Sequence, residues 1–428
     1  MKTGRLLPRE QLAEVMRRIY RFGMTTASGG NLSLQDSNGN VWITPARVDK
    51  GELQPDDIVC VHPDGTHTGR HEPSSELPFH REIYRSRPDF KAIVHAHPGA
   101  LVAFSLCRKL PETRVLASVH AVCGKVAKAS YACPGSEELG RNIAAAFATG
   151  ANCVILENHG VVVGGRDIEA AFERFETLEF AAQMQMNTSG MGEMQTLADD
   201  TLARRMAPSF GELPPATLSE REQGLRHQIC QFVFRAYRRR LMISTLGSCS
   251  ARVDTEQFLV TPHRHDRLAL QPSDLVRATP AACEAGKQPS RTARLHALIY
   301  QQHSGVGAII SAQPVHAGAF CLTKASLNTH TIPESYHVLR EVPKLSPLDV
   351  VSDAGQIAAA VSLAKQPALL IDNEGALVVG ETLLEAFDRL EVLEATAAAL
   401  IHSRSIGAPV LMAPDAIEEL RRIYCLDR

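Results

Sequence analysis

Two histidines separated by one residue in Ala92-Ile-Val-His-Ala-His-Pro98 carry the strongest chemical signal in this 428-residue chain. The neighbouring Ala, Ile and Val favour a strand. Because a strand repeats every two residues, His95 and His97 point to one face and can grip one ion. A third imidazole, His159, follows in Leu156-Glu-Asn-His-Gly-Val-Val-Val163, again between β-type runs. Three histidines leave at least one coordination position for water or substrate, which is the donor set of a catalytic divalent ion. Glu76, in Pro73-Ser-Ser-Glu-Leu-Pro-Phe-His80, offers a carboxylate for acid–base work beside that ion. A metal held by three histidines keeps its +2 charge available as a Lewis acid. The pattern reads as an enzyme.

The elements that must position these groups come from an internal repeat. Pro73-Ser-Ser-Glu-Leu-Pro-Phe-His-Arg-Glu-Ile-Tyr84 lies over Pro289-Ser-Arg-Thr-Ala-Arg-Leu-His-Ala-Leu-Ile-Tyr300. The register continues through Ala92–Pro98 over Ala308-Ile-Ile-Ser-Ala-Gln-Pro314, and Glu157-Asn-His-Gly160 lies over Asp372-Asn-Glu-Gly375. A period of about 215 residues signals duplication of a whole domain rather than a solenoid. The Gly-, Ser-, Met- and Pro-bearing stretch from Asn187 to Pro215 separates the copies, which gives domains 1–215 and 216–428. A short helix is expected within it, around Leu197 to Met206. Each half opens with a helix, at Arg9 to Phe22 and Glu220 to Arg239, and closes with one, at Ile168 to Met184 and Leu383 to His402. Strands and a further helix fall between, which predicts a sheet covered by helices on both faces. In the second half His95, His97, His159 and Glu76 become Ser311, Gln313, Glu374 and Thr292. That half is expected to fold without metal and without activity.

Composition sets the outer limits. Hydrophobic residues at 44% and charged residues at 21% suit a soluble globular protein with ample core, and a net charge of −2 gives no pull toward nucleic acid or anionic membrane. Met1-Lys-Thr-Gly-Arg-Leu-Leu-Pro8 lacks the apolar stretch of a signal peptide, and no run approaches membrane-spanning length, so a cytoplasmic protein is expected. Ten cysteines without a CxxC pair fit reduced thiols, and Cys60, Cys107 and Cys153 read as small buried residues. His62, His67 and His71 crowd a polar loop and read as solvated rather than as a second metal cluster.

Taken together, Ser28-Gly-Gly-Asn31, Thr44-Pro45, Ser74-Ser75-Glu76, His95-x-His97 and Asn158-His159-Gly160 resemble the class II aldolase/adducin family. The resemblance covers residues 9 to 185 and, more weakly, 220 to 428. It implies an α/β fold of two tandem three-layer α/β/α domains, each with a central mixed sheet. It also implies one divalent ion per chain on His95, His97 and His159. Zinc is the first expectation, with manganese, cobalt and iron as alternatives. Glu76 would be the catalytic acid–base residue, and Gly30, Asn31, Thr44, Ser74 and Ser75 would bind a substrate phosphate. The implied reaction is aldol cleavage or formation in a phosphorylated ketose or related hydroxy-carbonyl compound. Decarboxylation, dehydration and 4-epimerisation are the alternatives within the family, and a non-catalytic adducin-like scaffold is the alternative outside enzymology. Departures from the family pattern single out further residues. Arg47 follows Thr44-Pro45-Ala46 where a small residue and Gly are usual. No tyrosine occurs in Val115–Gly124, which leaves His120 as its substitute, and the C-terminal family tyrosine survives as Tyr424 in the second half. Family rings further suggest a homo-oligomer, two chains forming a pseudo-fourfold ring in which the second half lends Tyr424 or Tyr336 to a live site.

Overall fold

In a computed structural model of the chain the described residues are 6–203, 210–214, 217–346, 359–361, 363, 366–424 and 426. They form two compact units, residues 1–113 with 119–183, and residues 114–118 with 184–428. The spatial division therefore falls near residue 184. The strand Gly211–Leu213 pairs parallel with Ala282–Glu284 in the second unit, so a cut at residue 215 would part it from its sheet.

The first unit opens with helix α1 (Pro8–Arg21). Pro8 suits a first helical position, and the Glu10 carboxylate accepts the Leu7 N–H at 2.7 Å. Leu12, Val15, Met16 and Ile19 share its buried face at helical spacing. The strands β1 (Asn31–Gln35), β2 (Val41–Ile43), β3 (Val59–Val61), β4 (His67–Thr68), β5 (Ala92–Ala96), β6 (Val126–Ala129), β7 (Cys153–Leu156) and β8 (Gly160–Gly165) follow. Their order in the sheet is β4-β3-β2-β1-β5-β8-β7-β6. The β6–β7 pair is parallel and the rest antiparallel, which makes the sheet mixed. Strand β5 runs between β1 and β8 with all five residues buried, which is why its sequence is apolar throughout except at His95. Helix α2 (Leu77–Ser86) covers one face, packing Phe79, Ile83 and Tyr84 with Ile93, Val154 and Val162.

The second unit repeats this plan. Apart from the extra edge strand Gly211–Leu213, its nine-stranded sheet has the same neighbour order. Ser248–Arg252 and Ala308–Ala312 take the places of β1 and β5, with Ser248 opposite Ser311 as Asn31 is opposite His95. Isolated bridges recur at matching points, Pro45 to Pro73 and Pro262 to Pro289. The helices foreseen at the ends of the halves are observed at Pro8–Arg21, Ile168–Asn187, Glu220–Arg238 and Leu383–Ser403. The short helix expected around Leu197 is observed at Asp199–Ala203, and residues 204–206 of that expectation lie outside the described residues. Among the described residues, no helix is long and apolar enough to cross a membrane.

Candidate metal centre

The central strand delivers His95 within β5 and His97 just past its end, while His159 enters from the turn between β7 and β8. That turn is tight, with Asn158 at φ 55° and the His159 N–H on Leu156 O at 3.2 Å. Gly160 makes the approach sterically open, since a Cβ there would lie 2.6 Å from Ala96 O and 2.7 Å from His97 Cδ2. Gly30 is equally constrained. Its φ is 71°, and a Cβ would meet His95 O at 2.5 Å.

The three rings form a near-regular triangle, with centroid separations of 4.8, 4.9 and 4.9 Å. One nitrogen from each lies within 4.8 Å of the others, and the Nε2 atoms of His95 and His97 are 3.1 Å apart. Two nitrogens bonded tetrahedrally to one zinc stand about 3.3 Å apart, so the spacing fits. His95 Nδ1 lies 2.9 Å from Val161 O. A carbonyl only accepts, so Nδ1 carries the proton and Nε2 turns its lone pair toward the centre. Burial pushes His97 down to about 3 and His159 down to about 4, with the other ring nitrogens adding to both shifts. Both rings are therefore neutral, the ligating form, at neutral pH.

Glu76 caps α2 and completes the site. Its Oε2 accepts Asn31 Nδ2 at 2.6 Å and lies 3.2 Å from His95 Nε2. Its Oε1 is buried, 3.7 Å from His159 Nε2, and has no hydrogen-bond partner. A buried carboxylate oxygen left unpaired beside three imidazoles is what a cation would satisfy. Burial works to raise the Glu76 carboxyl, while positive charge on His95 and His159 when those rings are protonated, together with the Asn31 amide, holds it below the usual carboxylate range. With the rings neutral, that positive charge is what a bound cation would supply.

Behind Glu76 runs a hydrogen-bond chain that sequence reasoning missed. His80 Nε2 lies 2.5 Å from Asn31 Oδ1, His80 Nδ1 lies 2.6 Å from Ser33 Oγ, and Ser33 Oγ lies 2.7 Å from Tyr84 OH. Burial pushes His80 down to about 3, so the ring carries a single N–H. Asn31 Oδ1 only accepts, which puts that N–H on Nε2 and leaves Nδ1 to accept from Ser33. The amide is thereby locked with its NH2 toward Glu76. Asn31, expected on a substrate phosphate, already has both ends engaged here. The signal that would have found the chain was present in the repeat, where His80 and Tyr84 recur as His296 and Tyr300.

The second unit keeps this chain and loses the centre. His296 Nδ1 lies 2.9 Å from Ser250 Oγ, which lies 2.8 Å from Tyr300 OH, while His296 Nε2 meets Ser311 Oγ at 3.0 Å. Arg291, at the position of Ser75, pairs with Glu374 at 3.1 Å. The guanidinium thus brings positive charge to the carboxylate that replaces His159. Among the described residues, His95, His97 and His159 are the set of three or more ligating side chains that converges.

Buried His296 also gives a pH test away from the centre. Burial lowers it to about 3 from an ordinary 6.5, so the unfolded chain takes up a proton that the folded chain refuses. Its contribution to stability is complete above about pH 6.5 and is lost as pH falls toward 3, at about 2 kcal/mol by pH 5. Urea unfolding at pH 7 and pH 5 should show this loss, and His296→Gln should flatten it. An unchanged pH dependence in the variant would refute the assignment.

A family model described as Class II Aldolase and Adducin N-terminal domain matches residues 10–186 and again 227–401. The chain belongs to this family. It is similar to the 5-methylthioribulose-1-phosphate/5-deoxyribulose-1-phosphate aldolase of Rhodospirillum rubrum, 31% identical over 205 residues, or 48% of this chain and 91% of the relative. The 5-deoxy-D-ribulose 1-phosphate aldolase of Bacillus thuringiensis is 34% identical over 199 residues, 45% of this chain and 91% of its own. The 3-oxo-tetronate 4-phosphate decarboxylase of Pectobacterium atrosepticum is 33% identical over 180 residues, 41% of this chain and 82% of its own. The protein is an enzyme of the class II aldolase type, a metal-dependent family, and each of these relatives spans less than half of it.

The remaining expected residues make contacts of differing kinds. Thr44 is fully buried, its hydroxyl accepting the Leu32 N–H at 3.1 Å. Ser74 Oγ accepts the Glu76 N–H at 3.3 Å, a turn-stabilising contact at the start of α2, whereas Ser75 is exposed. Arg47 is exposed at φ 57°. His120 lies on the helix Ala117–Cys123, its Nδ1 3.2 Å from Thr113 Oγ1 rather than on Glu76 or the three histidines. In the second unit Tyr424 packs on His337 with ring centroids 3.7 Å apart, and Tyr336 OH accepts from Arg421. The loop histidines are better fixed than expected. His67 lies on β4, His71 pairs with Asp57 at 2.9 Å, and His62 meets Asn40 at 3.1 Å. Cys60 and Cys153 are buried, but Cys107, just past a helix end, is exposed.

Proposed function

We propose that the first unit cleaves, or forms, a carbon–carbon bond in a phosphorylated ketose or a related hydroxy-carbonyl compound. The observation that carries this reading is the Glu76 carboxylate, held at Oε2 by Asn31 and left free at Oε1 beside the three histidines. His95, His97 and His159 would hold a divalent ion, which supplies Lewis acidity toward a carbonyl oxygen. Glu76 Oε1 takes the proton of the hydroxyl on the carbon to be released. That oxygen closes to an aldehyde as the carbon–carbon bond breaks, and the bond's electron pair stays with the other fragment. Glu76 then returns the proton to that fragment's carbon, which balances the step. Gly30, Asn31, Thr44, Ser74 and Ser75 would anchor the phosphate and fix the reacting bond over Glu76. The second unit would take no part in the chemistry.

A second reading, decarboxylation, draws on Arg47, a guanidinium three residues after Thr44 with no hydrogen-bond or ion-pair partner among the described residues. Such a group suits a substrate carboxylate. Product analysis of the metal-loaded enzyme with ketose 1-phosphates and with phosphorylated 3-oxo acids separates the two. Two carbonyl-bearing fragments are expected, whereas carbon dioxide as the product would replace the aldolase reading with the second.

A further inference from the structure

We infer that the later turns of helix α2 build a binding site for a compact oxyanion, a phosphate or carboxylate group, in a cavity separate from the metal centre. The cavity, of about 300 Å³, is lined by His62, Arg81, Tyr84 and Arg85 among others. Its volume sits at the small end of ligand pockets. Arg81 has one long hydrogen bond, 3.4 Å to His62 O, and no carboxylate partner among the described residues. Arg85 shares a 2.6 Å ion pair with Glu82 but remains largely exposed. Tyr84 is buried along the wall, its hydroxyl committed to Ser33. Two guanidinium groups one turn apart on a helix can fork onto a single tetrahedral or planar oxyanion.

The second unit provides an internal control. It forms a cavity at the matching place, of about 360 Å³, against Tyr300. In the repeat register that aligns Tyr84 with Tyr300, Arg81 and Arg85 become Ala297 and Gln301, and Asp254 and Glu256 line the wall. The fold therefore makes the cavity twice, and in the second copy the helix positions of Arg81 and Arg85 carry no charge. The second cavity also holds an arginine, Arg252, but its guanidinium is engaged by the carbonyls of Val306, Tyr300 and His303 at 2.7–2.8 Å, and Asp254 and Glu256 share the wall with it. A ligand there would grip the helix that begins at Glu76.

Titration calorimetry of the full-length, metal-loaded chain with inorganic phosphate, and separately with malonate, tests the site. One binding event is expected to weaken about tenfold or more in Arg81→Gln/Arg85→Gln, as loss of charge-assisted hydrogen bonds requires. Any binding at the metal centre should persist in that variant. Amide exchange on the wild-type chain serves as the readout that needs no variant. Either anion should slow exchange at residues 81–86, and the one with the larger effect identifies the oxyanion class. An unchanged isotherm in a folded variant, or exchange unaltered at 81–86 with both anions, would overturn the proposal.

Discussion

Glu76→Gln will lower kcat by about 10²- to 10⁴-fold, the range for removal of a positioned acid–base group, while the metal content of the chain is kept. The amide matches the carboxylate in size, and its oxygen can still accept from Asn31 at the position of Oε2. It cannot take up a proton at the position of Oε1, the buried oxygen that lacks a hydrogen-bond partner. The three imidazoles are untouched, so the donor set survives. Turnover at saturating substrate, measured beside elemental analysis of the same sample, gives the answer. Activity within about tenfold of wild type would dismiss the acid–base role. Loss of metal together with activity would make Glu76 a ligand first.

His95→Ala will strip the metal and reduce activity to background. His95 is fully buried on the central strand, and its Nε2 faces both His97 and the Glu76 carboxylate. Removing it takes one of three imidazole donors and leaves Glu76 beside an empty space. We expect about one ion per wild-type chain, falling to trace levels in the variant. Ser311→Ala, at the matching position of the second unit, should leave metal content unchanged. Added zinc should raise the unfolding temperature of the first unit in wild type and fail to do so in His95→Ala. The second unit should respond in neither case, because the Arg291–Glu374 pair supplies its own opposite charges. About two ions per wild-type chain, or none after reconstitution, would refute the division into one live and one metal-free half.

These expectations rest on features of unequal visibility in the sequence. The repeat sets the number of folds, and its substitutions mark the second copy as degenerate. The His-x-His spacing was readable because a strand's two-residue period is a property of the backbone and holds over three residues. Glycines 30 and 160 appeared in the motifs, but their reason is spatial. Each lets backbone approach within a distance that a Cβ would block.

Other assignments required the folded chain. The register of β1 against β5 and the docking of α2 place the Asn31 amide between Glu76 and His80, contacts that its Ser-x-Gly-Asn loop does not reveal. The exposure of Cys107 and the fixing of His67 and His71 likewise depend on which surfaces the elements cover. The replacement of imidazole by an Arg291–Glu374 pair was invisible because these residues are far apart in the chain. By itself the sequence determined the duplicated α/β plan, the candidate ligand triad and the loss of that triad in the second half. Those follow from local periodicity and from comparing one half with the other. The tertiary structure decided which carboxylate oxygen is free, what holds the other, and where charge is left uncompensated. Those depend on side chains meeting across elements, a geometry that backbone period alone does not encode.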